Sequence, residues 1–273
     1  MTPPGRRNLV VAVVGLLVLS GVIFLLYRNS PLAHPPPGCT AVLNTAQDGV
    51  TDYPMTPEQA GNAATVAAVG ATMGMSEKAI AVALATALQE SGLRNLSYGD
   101  RDSIGLFQQR PSQGWGSTTQ IADTVFASRA FYQRLGAHRG WMSLSLNDAA
   151  QAIQRSAVPD AYAQWEGQAN AVAAALTGAP GSSLTCHDLR LGRPQSPLVT
   201  VAKRELGTAA LSGTHDEQRG RQIGAWLVAH AVRFGVDQVT VNGSTWTADS
   251  GEWEQTGPAD GTLRLHQLGS DSP

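Results

Sequence analysis

The chain has 273 residues, 42% of them hydrophobic and 15% charged, with a formal net charge of −2. That is enough for one or two packed domains and too apolar for a chain dominated by disorder. The charge balance offers no basic face of the kind nucleic acids require, so no nucleic-acid partner is expected.

The first segment reads as a membrane anchor. After residues 1–8, which hold Arg6 and Arg7, comes an uninterrupted apolar run, Leu9–Tyr27. Its length is close to the ~20 residues a spanning helix needs. Only Arg28 follows closely, so the positive-inside rule puts residues 1–8 in the cytoplasm and everything after Ser30 outside. A cleaved signal peptide is the competing reading. The run is long for one, however, and "NSPLAHPPPG" offers no small-residue cleavage site. The expectation is a single-pass signal-anchor at 9–27 followed by a proline-stiffened stalk at 28–39.

Cys39 and Cys186 are the two cysteines. In an oxidising compartment they would pair and close a loop of well over a hundred residues; the alternative is two separate thiols. No C-x-x-C or Cys/His spacing suggests a metal, and no cofactor is expected.

Helical signals then follow in order. Thr56 suits an N-cap, Pro57 the first helical position and Gln59 the reciprocal arm of a capping box. Ser76 caps "EKAIAVALATALQES", with Gly92 as its terminating glycine. A turn-rich stretch from Arg94 to Gly116 interrupts the pattern. Helices return in "TTQIADTVFASRAFYQRLG", in "LNDAAQAIQRSAV" and in "DAYAQWEGQANAVAAALTG". Residues 40–177 thus read as an all-helical domain with one irregular insertion, and 178–197 as a Gly/Pro/Ser linker. In 198–268, "DEQRGRQIGAWLVAHAVRFG" reads as one amphipathic helix, "QVTVNGSTW" as a hairpin turning at Asn242-Gly243, and "TLRLHQL" as a closing strand. This is a small α+β module, and 269–273 is read as a disordered tail.

One residue stands out chemically. Glu90 ends an alanine-rich helix, among small apolar neighbours and two residues before Gly92. Desolvation and the negative end of the helix dipole both disfavour its charged form and push it towards a general acid. A solvated helix-end glutamate is the bland reading. Downstream, "SIGLFQQR" supplies Gly105 for close backbone approach, Leu106 and Phe107 as an apolar wall, and the amides of Gln108 and Gln109 for sugar groups. Trp115 is either a sugar-stacking face or a core aromatic.

The Glu-Ser pair at a helix end followed by "GLFQ" resembles the soluble lytic transglycosylase and goose-type lysozyme superfamily. The longer run "ALATALQESGLRNL…GDRDSIGLFQQRPSQGWG" resembles an envelope-anchored, lysozyme-like bacterial family. The resemblance covers about residues 56–177. Together with the anchor and the last module read above, the expected fold class is a mainly α, lysozyme-like domain behind one N-terminal transmembrane helix, with the small C-terminal α+β module appended. The resemblance implies that Glu90 is the catalytic acid/base and that Gln108 lines a glycan groove. The superfamily's third motif, Ala-Tyr-Asn, has no match; Gln154, Ser156 or Tyr162 would stand in its place. The expected substrate-binding set is Ser91, Gly105, Gln108, Gln109, Gln154 and Tyr162. Asp100 and Asp102 are candidates for a second carboxylate, or else turn residues bonding their own backbone. With one acid, the route implied is lytic transglycosylation, ending in an anhydro sugar.

In the last module, "THDEQRG" and "RLHQL" faintly resemble elements of zinc D-Ala-D-Ala peptidase-like domains. The second-ligand Asp is missing, and His215 and His266 alone do not make a catalytic zinc site. The module is read as non-catalytic, binding the wall or a cell-wall protein partner, and His230 as a core histidine. The expectation is thus a peptidoglycan-cleaving enzyme in the bacterial cell membrane, with glycan strands as its partner. The alternatives are a non-catalytic peptidoglycan-binding or scaffold protein and a two-carboxylate lysozyme-type hydrolase.

Overall fold

The structure is a computed structural model that describes residues 36–45 and 49–269. The expected anchor at 9–27, and residues 1–8 and 28–35, lie outside that range, as do residues 270–273. Among the described residues no helix is long and apolar enough to cross a membrane.

Three strands frame the helical part. β1 (Gly38–Thr45) pairs antiparallel with β2 (Gly49–Met55) on one side, and with a strand far along the chain on the other. β2 is an edge strand, which is where a ladder tolerates Pro54.

α1 (Pro57–Thr72) begins as its capping residues dictate: the Thr56 hydroxyl accepts from the Gln59 N–H, and the Gln59 side chain accepts from the Thr56 N–H. α2 (Glu77–Ser91) starts at Ser76 and stops at Gly92, whose φ of 61° is the left-handed cap. Its Ala79, Ala81, Ala83, Ala85 and Ala87 are all buried, so it is the central helix, covered on every side. The expected helix over 118–136 breaks in two. α3 (Thr118–Ile121) ends where Asp123 turns to cap α4 (Thr124–Ala137), its carboxylate accepting from the N–H groups of Val125 and Phe126. α1 and α4 approach so closely that a Cβ on Gly70 would lie 2.7 Å from the Tyr132 hydroxyl. α5 (Leu146–Gln154) and α6 (Glu166–Thr177) complete the group.

β3 (Ser182–His187), inside the expected linker, returns to β1. The sheet order is β2-β1-β3, with Cys39 opposite Cys186 in register and the two joined by a disulfide across 147 positions of sequence. Closing so long a loop contributes about 4–5 kcal/mol through chain entropy.

α7 (Leu198–Glu205) has no side-chain cap, so its start carries no local signal in the sequence. β4 (Gly213–Thr214) precedes α8 (Glu217–Ala229), and His230 separates α8 from α9 (Ala231–Phe234) where one helix was expected. β5 (Val236–Val241) and β6 (Ser244–Thr247) form a hairpin. Its Asn242 and Gly243 have φ of 49° and 83°, as a two-residue turn with both centres left-handed requires. β7 (Trp253–Gln255) and β8 (Thr262–Gln267) complete a five-stranded sheet in the order β4-β8-β5-β6-β7.

The expected fold class is therefore corrected. The described residues do not fold as a mainly α lysozyme-like domain with a small α+β appendix. They form an α+β protein with two antiparallel sheets, of three strands and of five, and the first takes strands from both sides of the helical part. The core runs on into the second sheet: the indoles of Trp246 and Trp253 donate to the Cys186 and Leu184 carbonyls of β3. Buried Trp226 and Phe234 share one apolar cluster with the helices of the first part.

Candidate active site

Glu90 lies one residue from the end of α2, half-buried. Its neighbours are placed from the far side of the fold. Asn147 of α5 accepts from the Tyr162 N–H at 3.2 Å and donates to the Pro159 carbonyl at 3.0 Å, which pins the 155–162 loop. The Tyr162 hydroxyl then donates to Glu90 Oε1 at 2.8 Å. Gln154, at the end of α5, donates to the Phe107 carbonyl at 2.8 Å and also hydrogen-bonds Glu90. Gln89, next door, accepts from the Trp165 indole at 2.8 Å and from Gln164 at 3.0 Å, so the end of α2 is held rigidly.

Burial pushes the Glu90 carboxyl above the ordinary glutamate value, outweighing the hydrogen bonds from Tyr162 and Gln154 that favour the charged form. The Tyr162 phenol is itself driven well above the tyrosine range, first by burial and then by the Glu90 charge, so it stays protonated and serves as a donor. Glu90 opens on a cleft of about 790 Å³. The cleft is also lined by Gln108, Arg110, Gln113, Trp115, Arg134 and His138, and by Ile153 to Ser156. Glu90 is the one carboxylate among these residues.

The "SIGLFQQ" turn packs against the end of α2. The Ser91 hydroxyl, buried, donates to the Leu106 carbonyl at 2.7 Å and to Ala87 at 3.0 Å, so it fastens the turn to the helix. Gly105 has φ of 81°, and a Cβ there would meet the Ile121 carbonyl at 3.0 Å; both facts require glycine. Gln108 sits at φ of 46° and reaches the cleft, but its amide is tied inward: it accepts from the Ser103 hydroxyl and donates to the Tyr98 and Gly105 carbonyls. Gly99 leaves the space for it, since a Cβ there would fall 1.8 Å from Gln108 Oε1.

Gln109 points the other way. It is 1% exposed, bonded to the Ala127 carbonyl, and does not line the cleft. Leu106 and Phe107 are fully buried, with Phe107 stacked on Phe131 at 4.8 Å, so they are core rather than groove wall. Trp115 lines the cleft but is 6% exposed, covered by the Arg134 guanidinium 3.5 Å from its ring centroid.

The two further carboxylates are placed elsewhere. Asp102 accepts from Arg110 Nε at 2.7 Å and from both the N–H and the hydroxyl of Ser112, and these bonds hold it well below the usual carboxylate range. Asp100 is exposed, with Arg101 3.8 Å away. Neither lines the cleft. Among the described residues no group of His, Cys, Asp and Glu is arranged to hold a metal ion. His266 faces Asp237 at 2.6 Å.

Sequence reasoning missed the cationic wall of the cleft. Arg110 lay inside the "SIGLFQQR" run and Arg155 between Gln154 and Ser156, but Arg134 comes from a segment with no motif, and only the packing of α4 and α5 brings Arg134 and Arg155 to one wall. The chain matches no protein-family model and no curated protein.

Proposed function

We propose that this chain cleaves glycan strands of bacterial peptidoglycan as a lytic transglycosylase, with Glu90 as its single acid and base. The observation that carries the reading is Glu90 itself, a carboxyl raised by burial above its ordinary value and the one carboxylate lining a cleft of about 790 Å³. The likeness of the "ALQES…GLFQQ" run to that superfamily supports it.

In this mechanism the Glu90 carboxyl protonates the glycosidic oxygen as the bond to the anomeric carbon breaks. The carbonyl oxygen of the sugar's own acetamido group bonds to that carbon and takes up the positive charge. Glu90, now a carboxylate, removes the proton of the 6-hydroxyl. That oxygen displaces the acetamido oxygen and closes a 1,6-anhydro ring, and Glu90 is protonated again. Gln154 and the Tyr162 hydroxyl orient the carboxylate and stabilise its charged half of the cycle. Residues 9–27 would hold the protein at the cell membrane with the cleft outside, and the C-terminal sheet would serve as a non-catalytic surface for the wall or a wall protein.

The test is mass analysis of muropeptides released from peptidoglycan by the full-length chain. Products with 1,6-anhydro ends are expected, and Glu90→Gln should lower their release by about 10²–10⁴-fold or more. Reducing-end products together with a loss in Asp100→Asn or Asp102→Asn would indicate a two-carboxylate hydrolase instead. Equal, background-level release by the native chain and Glu90→Gln would leave a binding protein.

A further inference from the structure

The cleft carries far more positive charge than an uncharged sugar chain needs. Arg110, Arg134 and Arg155 line it, and Glu90 is the one acid among the lining residues. Arg110 is neutralised by Asp102 at 2.7 Å. Arg134 and Arg155 have no carboxylate partner among the described residues. We propose that Arg134 and Arg155 bind an oxyanion carried by the glycan: a carboxylate on a sugar substituent or its attached peptide, or a phosphate ester on a sugar hydroxyl. This rests on the glycan-cleaving reading and specifies which glycan the cleft accepts.

Three features point this way. First, Arg134 is preorganised. Its guanidinium carbon sits 3.5 Å from the Trp115 ring centroid, and Nη2 donates to the Gln113 and Gly114 carbonyls at 3.1 and 3.0 Å. That fixes the head and ties up Nη2, leaving Nε and Nη1 as separate charged N–H donors for an anion. Second, Arg155 occupies a costly position. It caps α5 with φ of 56°, where a non-glycine residue gives up about 1–2 kcal/mol of backbone energy. Glycine would relax the turn; the chain instead places a guanidinium at the cleft wall. Third, the two cations oppose each other. Partial burial and then the Arg155 charge both disfavour the charge on Arg134. An anion bound between them removes that repulsion, whereas a neutral sugar leaves it in place.

The test is equilibrium binding to the full-length Glu90→Gln chain, which holds ligand without turning it over. Four soluble probes are compared: a neutral N-acetylglucosamine oligomer, the same oligomer with a 6-phosphate, a muramic-acid-containing oligomer with free carboxylates, and that oligomer with its carboxylates amidated. At low salt at least one acidic probe should bind about tenfold or more tighter than its neutral counterpart, the effect of one charge-assisted hydrogen bond. The gap should shrink as salt is raised. Whichever acidic probe shows the gap identifies the source of the anion. Adding Arg155→Gln should bring the acidic-to-neutral affinity ratio close to one, and Arg155→Lys should keep part of it. Arg155→Gly serves as the folding control: it fits the positive φ, so a collapsed ratio in a variant at least as stable as its parent is a charge effect. Equal affinities for acidic and neutral probes, or a ratio unchanged by Arg155→Gln, would overturn the proposal while the glycan reading stands. Failure to bind any of the four probes would overturn both.

Discussion

Glu90 and Glu205 are the same residue in almost the same local setting, and the fold treats them oppositely. Glu90 lies next to the end of α2, and Glu205 is the last residue of α7. Glu90 is half-buried and Glu205 buried, each at the negative end of a helix dipole, a placement that favours the uncharged acid. Around Glu90 the partners are neutral, Tyr162 and Gln154, and burial wins. Glu205 is 2% exposed, and burial alone would raise it too. It is instead surrounded by donors and cations. His230 Nε2 lies 3.4 Å away, the Trp226 indole donates at 2.9 Å, the Thr65 hydroxyl at 3.0 Å and Arg233 at 3.4 Å. Together these hold Glu205 below its ordinary value despite its burial. A helix-end glutamate is thus an acid or a structural anion according to who meets it across the fold. Glu205 ties α7 to α1 and α8, whereas Glu90 faces open space.

The contrast breaks most visibly under mutation. Glu205→Gln strands a charge network in the core and should cost about 3–5 kcal/mol of unfolding free energy, read from denaturant titration. Glu90→Gln, compared in the same titration, should cost nothing at neutral pH. A loss at Glu90 as large as that at Glu205 would mean that both are structural.

Titration sharpens the same point with opposite signs. The Glu205 contribution is present above the ordinary glutamate value of 4.5 and is lost as pH falls through its lowered folded-state value. Glu90 has a raised folded-state value, so its contribution is present below 4.5 and is lost as pH rises through the raised folded-state value. Stability measured against pH should therefore show Glu90→Gln gaining on the native chain above this window and not below it. Glu205→Gln should fall short of the native chain at neutral pH by a margin that narrows in acid.

The smallest expected effect is at Tyr162. Removing its hydroxyl takes away a bond that favours the Glu90 carboxylate, so Tyr162→Phe should raise Glu90 further. The alkaline limb of the pH profile for glycan release should then move to higher pH, because the reaction begins with the protonated acid. An unmoved limb would show that Tyr162 only packs.

What could be read from the sequence was what depends on neighbours a few residues apart. The Thr56–Gln59 box, the Ser76 cap, the stop at Gly92 and the Asn242-Gly243 turn all rest on local hydrogen bonds and φ. The first sheet was not legible, because β1 and β3 meet only through pairing between distant segments, and β2 is largely exposed, without the clean alternation of a half-buried strand. In the site, the placement of Glu90 at a helix end showed in the sequence. The inward turn of Phe107 and Gln109 did not, since it follows from the left-handed conformation at Gln108. Nor did Arg134 and Arg155, whose meeting depends on how two helices cross. Glu205 carried no local signal at all, because its four partners come from α1, α8, α9 and the break between the last two.

The disulfide also sets a route for mechanical load. Cys39 and Cys186 sit on adjacent paired strands, and every residue lining the cleft, from Glu90 to Ser156, falls between them in the chain. A pull applied at residue 38 and resisted at residue 187 crosses from β1 to β3 through one covalent bridge. The helices that carry Glu90, Arg134 and Gln154 hang from that bridge as a side loop and bear none of the tension. With the bridge reduced, the same pull, once β1 and β3 part, runs through the helical part in series, and the cleft becomes part of the tether.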